Sequence, residues 1–481
     1  MRFFRQGVFI YEDMRSIALV WKYIIICLAA VLLVCCSKDN YGEDPHWTTQ
    51  EELLLMKANK FVYDYTTEAY LWNKDIPSGI TYTSAANPVD LFEMMRNKEL
   101  DMWSYVTDNS QEAMDSFQGV STTFGYSLAF GRFINAPDTF FAVVQYVYKD
   151  SPAQKAGLQR GDFILTLNGE KLTESNFLNL YLGPTINVGL GFVNSAGALE
   201  LLGRTVEMTA VKMYEDPVVD YSVISTDGKK IGYLFYAGFY SDSHSKLADV
   251  FSYFQGEQIT DLILDLRYNS GGDAKTPPYL ASFFAPHNVV KNKSVFLTET
   301  WNDLYMSYFK SIGEDVNSYF HPDIPVNLNL KRVYVLTTGS TASASEALIS
   351  GITPYMGVVK IGKTSYGKYC GAALITPTDS NGQADREIGN WLLSLVIYKF
   401  VNTQGFTEFK DGIAPDHEVE DNGLLDGIPL GAPEDPMIAK ALELITGNVT
   451  KAPAMSAPAG LEVIPNMVER PMRGGMIKLL E

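Results

Sequence analysis

The spacing of hydrophobic positions changes from one part of the chain to the next. In "EELLLMKANKFVYDYTTEAYLWNKDI" apolar residues recur every three to four positions, which predicts helix up to the breakers Pro77 and Gly79. After Ser116 the runs "FFAVVQYVY" and "DFILTLNG" read as short strands joined by "KDSPAQKAGLQRGD". In that joint Pro152 starts a short helix, Gly157 ends it in a left-handed cap, and Gly161-Asp162 turns into the next strand. From Lys229 the pattern alternates. "KKIGYLFYAGFYS" reads as a buried strand, "DSHSKLADVFSYF" as an amphipathic helix, "DLILDLRYNSGG" as a strand entering a glycine turn, "KRVYVLTTGS" as a strand and "SASEALISGI" as a helix. Strands alternating with helices predict a layered α/β unit. A last helix, "EDPMIAKALELI", follows from Glu434, and the Pro-, Ala- and Met-containing stretch beyond Thr450 predicts no element.

Composition narrows the function classes. At 481 residues with 46% hydrophobic and 12% aromatic positions, the chain predicts a well-packed protein of roughly two to four domains. A net charge of -18 leaves no basic footprint for nucleic acid and opposes anionic lipid surfaces. At the N-terminus, "WKYIIICLAAVLLVCCSKDN" sets a lysine before a short apolar run and a polar stretch after it, the signature of a secretory signal. "LLVCC" resembles a bacterial lipobox, with Cys36 as the lipidated residue and Cys35 in the place of the usual small one, and "SKDN" resembles the export tag of Bacteroidetes lipoproteins. The resemblance implies a cell-envelope protein anchored by lipid to the outer membrane, on either face. Cys27, Cys35 and Cys36 fall within the signal, so Cys370 alone remains in the mature body, and a buried apolar role is expected for it.

The strand–helix–turn–strand joint around "AGLQRGD" resembles a PDZ domain of the permuted kind carried by bacterial processing proteases. The string "GLGF", Gly189 to Phe192, spells the PDZ carboxylate-binding loop but falls inside a late strand, so it is not expected to bind peptide. "TFGYSLAF", Thr123 to Phe130, is the better candidate edge: glycine permits close backbone approach, and an added peptide strand pairs alongside. Phe124, Gly125, Tyr126, Ser127 and Leu128 are the peptide-binding candidates.

Lys368, in "VVKIGKTSYGKYCGAALI", fits three chemistries. A phosphate-binding loop needs Ser or Thr after the lysine and a helix to follow, whereas Tyr369 and a β-like run follow here. A Ser-x-x-Lys pair would need Ser365 and Lys368 on one helix, which Gly362, Gly367 and Gly371 oppose. The third chemistry makes Lys368 a general base for Ser343, which stands among small residues at a strand-to-helix junction 25 positions earlier.

At these motifs the chain resembles the carboxyl-terminal processing proteases, also called tail-specific proteases. The resemblance rests on Ala342-Ser343-Ala344-Ser345-Glu346, Ser365-Tyr366-Gly367-Lys368, "DLRYNSGG" and "DGIAPD", Asp411 to Asp416. It implies a multidomain α/β protein: an N-terminal helical segment, a PDZ-like β domain and a crotonase-like catalytic domain. The expected boundaries are 1–36 for the signal, 37–115 for the helical domain, 116–215 for the PDZ-like domain, 216–430 for the Ser/Lys peptidase domain and 431–481 for the last helix and tail. It also implies Ser343 as nucleophile, Lys368 as base, and an oxyanion hole from the backbone N–H groups of Ala344 and of Gly271 or Gly272, with Glu346 and Ser365 in support and no cofactor or metal. A serine needs such a base, and a lysine acts as one near neutral pH only if burial lowers its pKa from about 10.4. Two positions depart from the family pattern: Ala372 stands where a glutamine often orients the lysine, and Pro354 where an aspartate is common. His46, His244, His287, His321 and His417 have neither a local catalytic context nor metal-ligand spacing. The expected activity is an exported serine endopeptidase acting on proteins presented through free C-terminal tails. The alternative is an inactive lipoprotein that binds peptides through its PDZ-like edge.

Overall fold

The computed structural model describes residues 49–134, 136–194, 199–407, 409–448, 461–464 and 476–479. Cys36 and the apolar run before it lie outside them. Among the described residues no helix is long and apolar enough to cross a membrane.

The first helix, Gln50–Ala69, begins in a capping box: Glu52 N–H donates to Thr49 Oγ1 at 3.1 Å, and Thr49 N–H donates to Glu52 Oε2 at 2.8 Å. It ends at Ala69, well short of Pro77. The cause is tertiary. Leu71 N–H donates to Val396 O at 3.0 Å, and Asn302 Nδ2 donates to the carbonyls of Glu68 and Tyr70 at 2.9 and 3.0 Å, so residues distant in sequence satisfy the last turn and draw the chain away. Ala58, Phe61, Val62 and Ala69 on the buried face join the same apolar core as Leu348, Leu393 and Leu395. Strand Tyr105–Thr107 extends this union, pairing antiparallel with Leu392–Ser394. The N-terminal segment, expected as a small leader domain, thus shares the core of the α/β unit.

The PDZ-like sheet has its own core, built on Phe124, Tyr126, Phe130, Phe140, Ile164 and Leu190. Its strands run in the order Tyr126–Phe133, Ala136–Val147, Phe163–Leu167, Thr185–Val193 and Leu199–Thr209, with the short helix Pro152–Lys155 between the second and third. "GLGF" lies within Thr185–Val193, paired on both sides. On the free edge of Tyr126–Phe133 sits a strand from the C-terminal tail, Leu461–Ile464, paired antiparallel.

The α/β unit is built on a six-stranded sheet in which Lys229–Tyr236, Asp261–Asp265, Arg332–Thr337, Gly357–Gly362 and His417–Glu418 run parallel in that order. Strand Val218–Thr226 closes one edge by antiparallel pairing with Lys229–Tyr236. Helices His244–Glu257 and Ala344–Ile352 make the crossovers, as the alternating pattern predicts. A second sheet contains the antiparallel strands Val295–Trp301, Leu392–Val401 and Cys370–Ile375, and the backbone of Met476–Leu479 pairs beside the last of these. Three parallel strands end, at their carboxyl sides, in the loops that carry Gly271, Ser343 and Lys368, the position where open α/β sheets place their sites.

Candidate active site

Ser343 stands where strand Arg332–Thr337 gives way to helix Ala344–Ile352. Its backbone is at φ +58° and ψ −107°, a conformation that non-glycine residues rarely hold and that costs about 1–3 kcal/mol. The small residues of "TTGSTASAS" make room for this turn, and every residue of the helix is buried. Gly271 packs against the turn. A Cβ there would lie 3.0 Å from Ser343 Cβ and 3.1 Å from Ala344 N, and the Gly271 φ of +113° also disfavours a side chain. Gly272, at φ +139°, is tighter still, since a Cβ would lie 2.1 Å from Phe239 O.

Backbone pairing separates the two glycines. Gly271 N–H donates to Asn269 Oδ1 at 2.9 Å, while Gly271 O and Asp273 N–H bond Phe239. The N–H and C=O of Gly272 therefore point away from Phe239, towards the strand Met476–Leu479. The Ala344 N–H is among the first helical amides, which have no intrahelical acceptor.

Glu346 joins the Ser343 helix to the Lys368 loop. Its carboxylate accepts from Ser343 N–H at 2.7 Å, Gly367 N–H at 2.6 Å, Lys368 N–H at 2.9 Å and Ser365 Oγ at 2.5 Å. One oxygen, Oε2, receives both the Ser343 and the Lys368 amide, so the two backbones meet at a single atom. Burial pushes the Glu346 carboxyl up to about 7 against the pull of these four hydrogen bonds. Ser365 Oγ also accepts from Ile413 N–H at 2.7 Å, which fixes the lysine loop to the "DGIAPD" segment.

Lys368 lies in the loop between Gly357–Gly362 and Cys370–Ile375, not on a helix with Ser365, and only 2% of its surface is exposed. Burial pulls its ammonium pKa down to about 8, opposed by interactions with Cys370, Asp101 and Glu346. Its Nζ sits 5.4 Å from the ring centroid of Trp103. Trp103 and Asp101 come from the N-terminal segment, and nothing in "LDMWSY" marks them from sequence. Ala372, at the expected glutamine position, is buried in strand Cys370–Ile375. Cys370 is also buried, and burial drives its thiol well above the ordinary range, as suits an inert apolar role.

A cavity of about 780 Å³ is lined by Lys368, Tyr366, Ala342 and Ser270 on one side and by Ser127, Leu128 and Phe130 of the PDZ-like edge on the other. Ser343 itself is fully buried and does not line it, although its neighbour Ala342 does. Of the five residues expected at the peptide edge, Ser127 and Leu128 line this cavity, whereas the side chains of Phe124 and Tyr126 are core, with Tyr126 Oη donating to Leu180 O at 2.5 Å. Gly125 is a turn residue at φ +78°, with Ser151 Cβ 2.2 Å from where its own Cβ would be. The strand that does pair here lies further along, opposite Phe130 to Phe133. Among the described residues, no group of three or more His, Cys, Asp or Glu could hold a metal ion.

A buried ionic cluster joins the two units. Arg267, fully buried, bonds Asp265 at 2.7 Å, Asp435 at 2.8 Å and Asp421 at 2.9 Å. From "AGLQRGD" of the PDZ-like unit, Arg160 reaches Asp421 at 3.2 Å, Tyr268 Oη at 2.8 Å and Ile428 O at 2.9 Å. Tyr268 Oη in turn donates to Asp421.

Three stretches match family models: 57–105 the peptidase S41 N-terminal domain, 143–178 a PDZ domain, and 230–419 peptidase family S41. The carboxyl-terminal-processing protease of Synechocystis sp. is 25% identical over 341 residues, 69% of this chain and 71% of that protein. The chloroplastic carboxyl-terminal-processing peptidase 2 of Arabidopsis thaliana is 23% identical over 423 residues, 85% of this chain and 75% of that protein. A Bacteroides fragilis chain described as an S41 protease has a crystal structure that superposes with a TM-score of 0.67 at 23% identity, over 86% of this chain and 100% of that one. By domain content and fold, the chain therefore carries a peptidase S41 domain preceded by S41 N-terminal and PDZ domains and has the S41 peptidase fold, and it is similar to carboxyl-terminal processing proteases.

Proposed function

We propose that the chain is a serine endopeptidase in which Ser343 is the nucleophile and Lys368 the general base. The observation that carries this is the Glu346 carboxylate, which holds the Ser343 and Lys368 amides on one oxygen, beside a lysine whose burial brings it to about 8. The neutral Lys368 amine takes the Ser343 hydroxyl proton as Oγ attacks the scissile carbonyl carbon. It then returns that proton to the leaving amine, and water releases the acyl group by the same route. The oxyanion falls to the N–H group of Ala344, joined by that of Gly272 once the strand Met476–Leu479 that pairs with Gly272 gives way, because Gly271 N–H is already given to Asn269. Without the glutamine that Ala372 replaces, the lysine is oriented by the Trp103 face and by the fixed loop backbone.

The substrates are proteins whose extended tails add to the PDZ edge, from where the shared cavity leads to Lys368. The lipobox-like "LLVCC" supports export and attachment of the chain to the outer membrane through Cys36.

The test is labelling by a serine-directed phosphonate together with proteolysis of an unstructured protein. Wild type is expected to label at Ser343. Ser343→Ala should abolish labelling, and Lys368→Ala should reduce it and lower kcat by about 10²–10⁴-fold, with unchanged melting. Undiminished proteolysis in either variant ends this reading by placing the chemistry on other residues, and a wild type that neither labels nor cleaves returns the binding-only alternative.

A further inference from the structure

Strand Tyr126–Phe133 forms the outer edge of the PDZ-like sheet, and an open edge of this kind is a template for any extended chain. It is not left open. Leu461 pairs with Phe133, Glu462 with Arg132, Val463 with Gly131 and Ile464 with Phe130, all antiparallel.

The fit extends beyond the backbone. Leu461 is buried against a cluster containing Phe141, Val143, Phe163 and Leu424, while Ile464 packs on the PDZ-like core. Between them Arg132 Nε donates to Glu462 Oε2 at 2.7 Å. Gly131 makes the approach possible, since a Cβ there would stand 2.6 Å from Glu462 O. Further along, the backbone of Met476–Leu479 runs between Gly272–Asp273 and Gly371–Leu374, so the same tail also pairs beside buried Ser343.

We infer that the peptide edge takes an internal extended segment of the pattern apolar–acidic–apolar–apolar, and that Leu461–Ile464 is its resident ligand, which an incoming substrate segment must displace. This rests on the edge role proposed above, though not on the peptidase chemistry. The chain continues past Ile464, so recognition here needs no terminal carboxylate; the specificity lies in Arg132 and the two apolar contacts. A tethered ligand has an effective concentration on the order of 1 mM, so a free peptide that binds the vacant edge at about 0.1 mM is weakened roughly tenfold.

The test measures binding, by fluorescence anisotropy of a labelled hexapeptide Gly-Leu-Glu-Val-Ile-Pro, the sequence of residues 460–465. The full-length chain carries Ser343→Ala so that nothing is cut. Adding Leu461→Asp with Ile464→Asp, or Glu462→Arg alone, should tighten peptide binding by about tenfold or more. Adding Arg132→Glu to the chain with Leu461→Asp and Ile464→Asp should weaken it again, and a peptide with Arg in place of Glu should recover the loss. Equal affinity with the native and the substituted tails overturns the inference, as does absence of peptide binding in a tail-substituted chain whose melting is unchanged. Failure of the peptidase reading shows separately, as wild type that does not label with the phosphonate, and leaves this binding result standing.

Discussion

As the proposed general base, Lys368 has to be two things at once, a cation-derived side chain inside a protein and a base at the pH of its surroundings. Burial reconciles them by favouring the uncharged amine, which brings the pKa to about 8. The active form is the deprotonated one, so its population grows with pH. We expect kcat/KM to rise with pH, to reach half its maximum near 8, and to level off above that until another group or unfolding intervenes; a profile flat from pH 6 to 9 would contradict a lysine base. Sequence singles out Lys368 and Ser343 as candidates because a small-residue turn and a glycine-flanked lysine leave a local trace. It did not expose Trp103, whose position over Nζ follows from how the N-terminal segment packs.

At the scale of elements, the strand-to-helix turn at Ser343 and the glycine turn after Asp261–Asp265 are held against each other with no space to spare. Gly272→Ala should force its new Cβ onto Phe239 O and tilt its amide, which faces the strand Met476–Leu479. We expect a loss of stability of roughly 1–3 kcal/mol, read as a lower melting temperature. A donor lost from the oxyanion site should also lower kcat by about 10²–10³-fold with little change in KM. A variant that melts lower yet keeps kcat would show that Gly272 is structural only. The periodic patterns were legible for these elements: the strands Lys229–Tyr236, Asp261–Asp265 and Arg332–Thr337 and the helices His244–Glu257 and Ala344–Ile352 lie where alternation and amphipathicity predict them. The first helix was not, since its end is set by Asn302 and Val396 rather than by Pro77. Nor was the tail strand Leu461–Ile464, four residues whose partner lies some 330 positions away.

At the scale of the molecule, Arg160 is the one cation that the PDZ-like unit contributes to the buried cluster of Arg267, Asp265, Asp421 and Asp435 described above. Removing one partner of such a cluster leaves charge uncompensated away from water, at a cost of about 3–5 kcal/mol. Arg160→Ala should therefore loosen the two units together, lowering kcat for a short peptide as well as for a tailed protein; an effect on the tailed protein alone would mean that the PDZ-like unit only tethers. The boundaries expected from the sequence mark the two units as separate parts, whereas the ion pair of Arg160 with Asp421 runs across the boundary between them. A transplanted PDZ domain without a guanidinium at the Arg160 position would leave Asp421 and the carbonyl of Ile428 without that donor. On the proposed function, the unit that would choose substrates and the unit that would cut them form a single block, and a new specificity is more readily reached by altering Arg132 at the outer edge than by exchanging the domain that bears it.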